Sequence, residues 1–351
     1  MSSTFDTVAA MTTTGPDRAG PPARRTVAEL GEEGVIALAT APIGPDPRVL
    51  LGPGDDAAVV AAPDGRVVIS SDALVEGRHF RFDLTTGEHV GRRAIAQNAA
   101  DIAAMGAVCT GFTVTLGCPP QTPAALVEAI SRGVARGAAD AGGAVAGGDV
   151  VRTEQVLLAV TALGDLQGRA PVLLSGARPG DAVAVCGTLG RSAAGLAALD
   201  AGRGVDFPEV VEVYRCPVPP LAAGPHAAES GATALTDISD GLLRDARAMA
   251  AASGVRIELD GAALRPDDVL ADCAAALGAD PDAWIRTGGE DHALLATFPA
   301  GTVPAGWRVI GAVLPAEGAA GAVTVDGQTG PERGGWNTFE RGTDDTGKER
   351  P

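Results

Sequence analysis

Lysine is almost missing from this chain of 351 residues. Of its 27 basic residues 26 are arginine, and the one lysine is Lys348, close to the C terminus. Mechanisms that depend on a buried lysine are therefore excluded, namely the Schiff base, the Walker A lysine that binds phosphate, and the strand lysine of protein kinases. Any anionic substrate of this protein must be neutralised by other means.

Aromatic residues, cysteine and histidine are also scarce. Aromatic side chains make up 3% of the chain and Tyr214 is the single tyrosine, so no aromatic surface for stacking bases or sugars is evident. The five cysteines lack CxxC spacing, and the four histidines form no HExxH motif. These patterns argue against a disulfide framework and a zinc site, and they predict a cytoplasmic protein.

Positive charge and long apolar runs are the remaining deficits. The 44 acidic residues outnumber the 27 basic ones and give a net charge of -17, whereas non-specific nucleic-acid binding needs a basic surface. Glycine, proline or a charged residue interrupts every apolar stretch before the ~20 residues that a membrane helix requires. The sequence therefore predicts neither a nucleic-acid partner nor a membrane partner.

Between polar ends, segments with strand spacing alternate with segments with helical spacing, which predicts an α/β (α+β) protein. At about 150 residues per domain, the length predicts two domains. The alternation of strand-like and helix-like segments becomes irregular over residues 164–178, where we place the domain boundary. The predicted parts are a disordered leader (residues 1–25), an N-terminal domain (26–166), a C-terminal α/β domain (167–340) and a disordered tail (341–351). Helices are expected at residues 26–39, 92–105, 123–141, 191–201 and 242–252, and strands at 57–61, 67–70, 112–116, 156–163, 182–186, 232–236 and 255–259.

Short acidic clusters stand where apolar runs begin or end. They are GDD at 54–56, SSD at 70–72, NAAD at 98–101, GGD at 147–149, DISDG at 237–241 and GGED at 288–291. Taken singly, such residues have an ordinary explanation, because Asp and Ser cap helices, and Ser239 and Asp240 precede a predicted helix. If the clusters converge in the folded protein, each pair of carboxylates ~4 Å apart repels by ~4 kcal/mol at an effective dielectric constant of about 20. Divalent cations such as Mg²⁺ or Ca²⁺, which prefer oxygen ligands, would offset this repulsion.

A glycine pattern at residues 187–195 links a predicted strand to a predicted helix. Its backbone N–H groups could bind phosphate, but neither GK[ST] nor GxGxxG accompanies it. Close packing of the helix on the strand explains the same glycines, so both interpretations stay open at this point.

Eight longer motifs follow one another between about residues 52 and 339. They read GPGDDAAVV, ISSDALVEGRHF, AIAQNAADIAAMGA, AGGDVV, GTLGRSAAGL, TDISDGLLRDA, TGGEDHALL and GGWNTF. As an ordered set they resemble thiamine-monophosphate kinase, a family of the ATP-binding superfamily that includes aminoimidazole ribonucleotide synthetase.

The resemblance implies a two-domain aminoimidazole ribonucleotide synthetase-like fold, with ATP and several Mg²⁺ ions in the cleft between the domains. It also implies a homodimer formed through the N-terminal domains. The implied metal ligands are Asp56, Ser70, Ser71, Asp72, Asp101, Asp149, Asp237 and Asp240. The implied contacts to ATP are Gly148, Asp149 and Ser239, and those to thiamine monophosphate are His79, Glu290 and Trp336.

Two positions depart from the family pattern. Ser131 stands where the family usually has a tyrosine near the nucleotide, and Leu174 where it usually has an arginine. Arg169 and Arg178 are the candidates to supply the missing positive charge.

The three residues assigned to thiamine monophosphate also have ordinary explanations. His79 has the character of a surface or structural histidine, Glu290 could close a turn after glycine, and Trp336 could attach the tail to the core. The other histidines receive no role at this point.

The implied reaction moves the γ-phosphoryl group of ATP onto thiamine monophosphate and gives thiamine diphosphate. A phosphate monoester with a second pKa of ~6 is already a dianion near neutral pH, so the reaction needs no general base. Two alternatives remain: another ATP-activating enzyme of the superfamily that acts on an amide or a selenide, or a non-catalytic sensor of nucleotide or divalent cations.

Overall fold

The computed structural model describes residues 25–51, 59–316 and 320–329. Its helices are α1 (Val27–Thr40), α2 (Gly87–Ala104), α3 (Ala124–Asp140), α4 (Arg191–Asp200), α5 (Pro208–Arg215), α6 (Ala223–Glu229), α7 (Leu242–Ser253), α8 (Asp268–Leu277) and α9 (Pro281–Thr287). Its strands are β1 (Val49–Leu51), β2 (Val59–Val60), β3 (Val68–Val75), β4 (Val108–Cys118), β5 (Ala144–Arg152), β6 (Leu157–Asp165), β7 (Ala182–Cys186), β8 (Ala234–Ile238), β9 (Arg256–Leu259), β10 (Ala293–Phe298), β11 (Arg308–Leu314), β12 (Val323–Val325) and β13 (Gln328–Thr329).

The N-terminal half contains a four-stranded sheet in the order β3-β6-β4-β5, with β4 and β5 parallel and the other pairs antiparallel. Alternate residues of β6, among them Leu158 and Val160, join one core with Ile95 and Ile102 of α2. The period of two along the strand therefore directs one face of the sheet to the helices. A minor two-stranded sheet pairs β1 with β2.

Helices α2 and α3 approach each other closely at glycine. A Cβ atom on Gly91 would overlap the Ile130 carbonyl oxygen, and one on Gly133 would overlap the Glu88 carbonyl oxygen. Both positions therefore need the small residue so that the two backbones can pack directly, and this contact fixes α2 against the sheet.

The C-terminal half contains a seven-stranded sheet in the order β13-β12-β9-β11-β7-β10-β8. Helices α4, α5, α7, α8 and α9 contribute to the core on one face of this sheet. On the other face, Leu294 and Phe298 of β10 form a core with Ala103 and Ala104 at the end of α2. All six residues of β10 are buried, and five of them are apolar, with Thr297 as the exception. Helix α2 reaches this core from the N-terminal half and thereby joins the two halves.

Several predicted elements agree with the structure to within a residue or two. The strand at 182–186 matches β7, and the helices at 191–201 and 242–252 match α4 and α7. Helix α2 begins five residues before the predicted start at residue 92, because Thr86 caps it through a hydrogen bond from the His89 N–H.

Other elements were not predicted. The GGD motif lies inside strand β5, although glycine disfavours strands, and the sequence pattern does not predict α5, α6, α8 or α9. The helices α6 and α9 have only 7 residues each, which is too short for a clear period of 3.6.

The domain bounds stay a prediction. Strand β6 ends at Asp165 and β7 begins at Ala182, so the predicted boundary lies between two strands of different sheets. Residues 1–24 of the expected leader and the whole expected tail lie outside the described residues. Within the part of the chain that is described, no helix has the length and apolar character required to span a membrane.

Candidate active site

The acidic motifs lie on elements that α2 brings together. Ser70, Ser71 and Asp72 are on β3, Asp101 is on α2, and Asp237 is near the end of β8. Helix α2 packs against β3 of the N-terminal half and against β8 and β10 of the C-terminal half. Residues more than 160 positions apart in sequence therefore face one region between the two halves.

Strand β3 and helix α2 are joined by direct polar contacts. The Ser70 hydroxyl donates to Asp101 Oδ2 at 2.6 Å, and the Asp72 backbone N–H donates to Asn98 Oδ1 at 3.0 Å. The side chain of Gln97 also hydrogen-bonds to the Asp72 carboxylate and thereby favours its ionised form. These contacts fix both carboxylates relative to the helix.

The structure places Ser71 away from these groups. Its hydroxyl donates to the Val160 carbonyl oxygen at 3.1 Å and accepts from the Thr161 hydroxyl at 3.3 Å. Side chains alternate along a strand, so Ser71 points to the face of β3 opposite to Ser70 and Asp72. The side chain of Ser71 therefore lies on the opposite face of β3 from Ser70 and Asp72, and its implied role as a metal ligand stays a prediction.

The carboxylates of the two halves are close enough to perturb each other. Burial raises the pKa of Asp101 to about 7, and the negative charges of Asp237 and Asp72 contribute to the increase. Burial also raises the pKa of Asp72, as do the charges of Asp237 and Glu290, although His292 opposes them. Mutual repulsion across the two halves is therefore a property of this site.

Asp237 and His292 form a buried pair that sequence reasoning missed. The ring atom His292 Nδ1 lies 3.1 Å from Asp237 Oδ2. Burial disfavours the charged imidazole, but the hydrogen bond and the negative charge of Asp237 outweigh it and raise the pKa of His292. No local pattern signals this contact, because Asp237 is on β8, His292 directly precedes the adjacent strand β10, and the two residues are 55 positions apart.

The capping explanation for Ser239 and Asp240 is wrong. Helix α7 has Gly241 as its N-cap, with no side-chain cap bond. Instead, Asp245 inside the helix accepts from the backbone N–H groups of Asp240 and Gly241 at 3.1 and 3.2 Å. The Asp240 carboxylate pairs with Arg244 at 3.3 Å, and burial raises its pKa.

Gly148 and Asp149 lie on β5, at the edge of the N-terminal sheet. A Cβ atom on Gly148 would overlap the Val114 carbonyl oxygen of the neighbouring strand, so only glycine fits there. Asp149 is exposed, and its Oδ1 accepts from the Val150 N–H at 2.8 Å. Asp149 thus lies on a different element from Asp72, Asp101 and Asp237.

The chemistry of the described residues fits a divalent cation. Carboxylates and a hydroxyl are the donors that Mg²⁺ prefers. Burial, followed by the negative charges of Asp237 and Asp72, raises the pKa of Asp101, and a bound cation would stabilise the ionised carboxylate. Among the described residues, no three or more His, Cys, Asp or Glu side chains are already arranged around one point as a metal site would be. Asp56, another implied ligand, lies outside the described residues.

Glu290 is held in a constrained position. Its φ of 69° is in the left-handed region, its N–H donates to the Ser239 carbonyl oxygen at 2.8 Å, and its carboxylate pairs with Arg93 of α2. Burial alone would raise the pKa of Glu290, but Arg93 and His292 outweigh it and lower this pKa. Glu290 therefore remains ionised at neutral pH.

His79 has a structural contact on one ring atom, since Nδ1 accepts from the Val75 N–H at 3.0 Å. Burial lowers its pKa, which favours the neutral ring. Glu290 and Arg93 both act on this pKa, so His79 lies in their neighbourhood. Trp336, the third predicted contact to thiamine monophosphate, lies outside the described residues.

Arg93 was also missed, although the sequence contained a signal for it. Arg93, Gln97 and Asp101 follow one another at intervals of four, which places them on one face of α2. Because Gln97 and Asp101 both contact groups of β3, this face of α2 is directed towards the site.

The two departures from the family pattern are accommodated within the core. The buried Ser131 donates to the Val127 carbonyl oxygen of its own helix at 2.9 Å. Leu174 packs against the C-terminal core. Arg169 already pairs with Glu229 at 3.0 Å, whereas Arg178 is exposed.

The glycine pattern at 187–195 favours the packing interpretation. A Cβ atom on Gly195 would overlap the Val210 carbonyl oxygen of α5. At the N terminus of α4, the Ser192 N–H donates to the buried Asp291 carboxylate, with Oδ1 at 3.3 Å. This end of the helix therefore already has an internal anionic partner.

Comparison with known proteins agrees with this architecture. Residues 54–166 match the AIR synthase related protein, N-terminal domain, and residues 178–297 match the AIR synthase related protein, C-terminal domain. The solved structure of AaThiL complexed with AMPPCP and TMP has a TM-score of 0.72 and 31% identity, and the match covers 89% of this chain and 98% of that one. A structure of the hydrogenase maturation protein HypE, at 19% identity and a TM-score of 0.70, shares the fold alone. The expected aminoimidazole ribonucleotide synthetase-like fold is thus confirmed.

Two bacterial relatives match most of the chain. The thiamine-monophosphate kinase of Mycobacterium tuberculosis is 52% identical over 315 residues, which cover 90% of this chain and 93% of that protein. The thiamine-monophosphate kinase of Corynebacterium glutamicum is 41% identical over 321 residues, covering 90% of this chain and 95% of that protein. Together with the shared fold, these similarities establish that the chain belongs to the thiamine-monophosphate kinase family.

Proposed function

We propose that this protein transfers the γ-phosphoryl group of ATP to thiamine monophosphate and forms thiamine diphosphate. The observation that carries the proposal is the proximity of carboxylates from both halves, Asp72 and Asp101 on one side and Asp237 on the other. The relatives named for this activity cover nearly the whole chain, and the structure of AaThiL was solved with AMPPCP and TMP.

The reaction requires two polyanions to meet in line, with their charge neutralised. The acceptor phosphate is a dianion near neutral pH, so no side chain has to remove a proton from it. Arg93 and Gln97 orient Glu290 and Asp72, and Asn98 holds the backbone of β3 at Asp72. The protein thus contributes orientation and electrostatics, not a nucleophile.

The divalent ion is part of the proposal. Ser70, Asp72, Asp101, Asp237 and Asp240 would hold Mg²⁺, together with Asp56, Ser71 and Asp149 as the resemblance implies. Bound Mg²⁺ would supply the positive charge that neutralises the phosphate oxygens during transfer. With a single lysine in the chain, arginine is the other cationic side chain that could share this role.

The substrate positions follow from the same proposal. Gly148, Asp149 and Ser239 would contact ATP, and His79 and Glu290, together with Trp336, would contact thiamine monophosphate. Glu290 supports this assignment because its ionised carboxylate lies at the junction of the two halves.

We also propose that the protein is a homodimer formed through the N-terminal sheet. Ile69 is 66% exposed on the face of β3 that points away from α2. The same face carries Ser71, Ala73, Ala159 and Thr161, which are small and uncharged and suit a close sheet-to-sheet contact.

A cytoplasmic location agrees with the five free cysteines.

The direct test is incubation of the purified protein with ATP, Mg²⁺ and thiamine monophosphate, followed by chromatographic detection of thiamine diphosphate. The proposal requires thiamine diphosphate and ADP in equal amounts. Release of ADP only with an amide or selenide acceptor would support a sister enzyme, and ATP binding without ADP release would support a sensor.

The variant Asp72→Asn should retain the fold and lose about 10²–10³-fold or more in kcat, because one carboxylate of the charge-neutralising group is removed. Circular dichroism checks the fold, and the thiamine diphosphate assay checks the activity. Asp83→Asn is the matched control, since Asp83 is 67% exposed and pairs with Arg81 outside the site. Equal turnover of Asp72→Asn and Asp83→Asn would contradict the assignment.

A further inference from the structure

Arg93 connects the two halves of the molecule from a buried position. It lies on α2, is 4% exposed, and directs both terminal nitrogens to the C-terminal half. Nη2 pairs with Glu290 Oε2, and Nη1 donates to the Tyr214 carbonyl oxygen at 3.3 Å. The guanidinium carbon also lies 5.4 Å from the centroid of the Tyr214 ring, within cation–π distance.

The guanidinium of Arg93 is not fully satisfied. Its Nε atom is buried and has no hydrogen-bond partner among the described residues. A buried donor without an acceptor costs stability. The two terminal nitrogens, by contrast, both have partners in the C-terminal half, so the interactions of Arg93 lie at that end of its side chain.

Glu290 is held in place through its backbone as well as through its carboxylate, which pairs with Arg93. Its backbone has a positive φ of 69°, and a Cβ atom on the preceding Gly289 would overlap the Ser239 carbonyl oxygen. Strained backbone of this kind persists where the surrounding structure over-determines it, which is common at ligand sites. The side chain is nevertheless 32% exposed, so Glu290 can still be reached by a ligand while Arg93 cannot.

We infer that Arg93 is a positioning residue that holds the Glu290 carboxylate in place as the countercharge for the cationic ring of the acceptor. The inference rests on the proposed function, because thiamine monophosphate carries a permanently cationic thiazolium ring. Arg93 acts through Glu290 and does not touch the substrate.

The charges around Glu290 are consistent with this role. Arg93 on α2 and the histidines His79 and His292 favour its ionised form, and its own charge raises the pKa values of Asp72 and Asp240. Arg93 engages Oε2 through a single nitrogen, so the pair is not the two-bond fork that would occupy both carboxylate oxygens. An anion held in this way favours a cationic ring over a neutral ring of the same shape.

The test compares two acceptors that differ in ring charge. One is thiamine monophosphate, and the other is its analogue in which carbon replaces the thiazolium nitrogen, which leaves a neutral thiophene ring. The measured quantity is the ratio of kcat/KM for the two acceptors, with KM for ATP recorded in parallel. A merely structural defect lowers both values of kcat/KM alike and leaves the ratio unchanged.

We expect the wild-type enzyme to have a higher kcat/KM for the cationic acceptor than for the neutral one. In Glu290→Gln the ratio of these two values should fall about tenfold. Arg93→Met should lose a similar factor, mainly through KM for the acceptor, with KM for ATP unchanged. Arg93→Lys should be intermediate, because lysine keeps the charge but cannot bond Glu290 and Tyr214 together. In Arg93→Met/Glu290→Gln the losses should be less than additive, since both changes remove one interaction.

Arg215→Met is the matched control. Arg215 also crosses between the halves, with Nε donating to the Leu84 carbonyl oxygen at 2.7 Å, but it makes no contact with Glu290. This variant should keep the wild-type preference, and thermal unfolding of every variant identifies any that fail to fold.

The outcomes separate the inference from the proposed function. If the wild-type protein does not phosphorylate thiamine monophosphate, the proposed function fails and the inference fails with it. If the wild type is active but the folded Arg93 variants keep its full preference for the cationic ring, the inference alone is overturned. If Arg93→Met does not fold, the intermediate preference expected of Arg93→Lys decides the question.

Discussion

Single residues in this protein acquire their chemical character from their neighbours. The carboxylates of Asp72 and Asp101 are ordinary acids in sequence, but burial and the nearby Asp237 raise the pKa of Asp101 to about 7. Glu290 shows the opposite effect, because the positive charge of Arg93 outweighs burial and lowers its pKa. The carboxylates at one site thus differ in how readily they stay ionised.

Asp291 provides a stability test at the residue scale. Burial raises its pKa from 3.8 to about 6, although Thr188 and the Ser192 N–H donate to it. The folded protein therefore binds this proton more tightly than the unfolded chain, and the destabilising effect of the ionised group decreases as pH falls from about 6 towards 3.8. We expect Asp291→Asn to raise the free energy of unfolding by about 1–3 kcal/mol at pH 7.5 and by less at pH 5.

Urea unfolding of Asp291→Asn at both pH values measures this difference. Asp83→Asn, which alters an exposed carboxylate, should show no comparable gain at pH 7.5. An equal gain for Asp291→Asn at both pH values would mean that the proton on Asp291 is not the cause.

At the scale of elements, α2 is the segment on which the site depends. One of its faces presents Arg93, Gln97 and Asp101, and its last turn is buried against the second face of the C-terminal sheet through Ala103 and Ala104. Since Gly91 permits close contact with α3, the helix cannot shift without disturbing the core of the N-terminal half. The packing of one helix therefore sets the distance between the two acidic groups.

Strand β5 offers a matched pair of glycines for a prediction at this scale. Gly148 faces the Val114 carbonyl oxygen too closely for a Cβ atom, whereas a Cβ atom on Gly147 would have nothing within 4 Å. Gly148→Ala should lose about 1–3 kcal/mol of unfolding free energy because backbone must move. Gly147→Ala should stay within about 1 kcal/mol of wild type.

Urea unfolding of both glycine variants provides the comparison, and it is independent of any role of Gly148 in binding ATP. Similar stability of the two variants would show that β4 and β5 separate easily at this point. The close approach between them would then not be what requires glycine.

At the scale of the whole molecule, a protein with a net charge of -17 has to bind anionic substrates, which its own negative charge repels. We expect EDTA to stop formation of thiamine diphosphate and excess Mg²⁺ to restore it, because carboxylates of both halves otherwise repel the phosphates. The assay is turnover before and after the addition of Mg²⁺. Activity that resists the chelator would mean that arginines neutralise the charge instead.

The proposed dimer gives a second prediction at this scale. Ile69→Glu places a charge on the face of β3 that points away from α2, so it should convert a dimer into a monomer. Sedimentation velocity measures the change, and circular dichroism checks that the monomer is folded. Ile36→Glu on α1 is the control, as Ile36 is also exposed but lies on a helix. A wild-type protein that sediments as a monomer would exclude the dimer.

Several features of the fold and site could be predicted from the sequence because their signals are local. The alternation of apolar residues predicted β7, α4 and α7, and the order of the motifs predicted the family and the fold. Asp72, Asp101 and Asp237 stand in short acidic clusters, and the resemblance carried by the ordered motifs implied their role as metal ligands.

Tertiary structure alone decided how these residues meet. Arg93 and Glu290 are 197 positions apart, and they pair because α2 packs against both halves. The pairing of His292 with Asp237 depends on the register of β8 and β10, and the bond of Ser71 to the Val160 carbonyl oxygen depends on how β3 pairs with β6. Local sequence determines which face a side chain takes within its element, but burial and long-range packing determine which charges become neighbours and therefore which groups stay ionised.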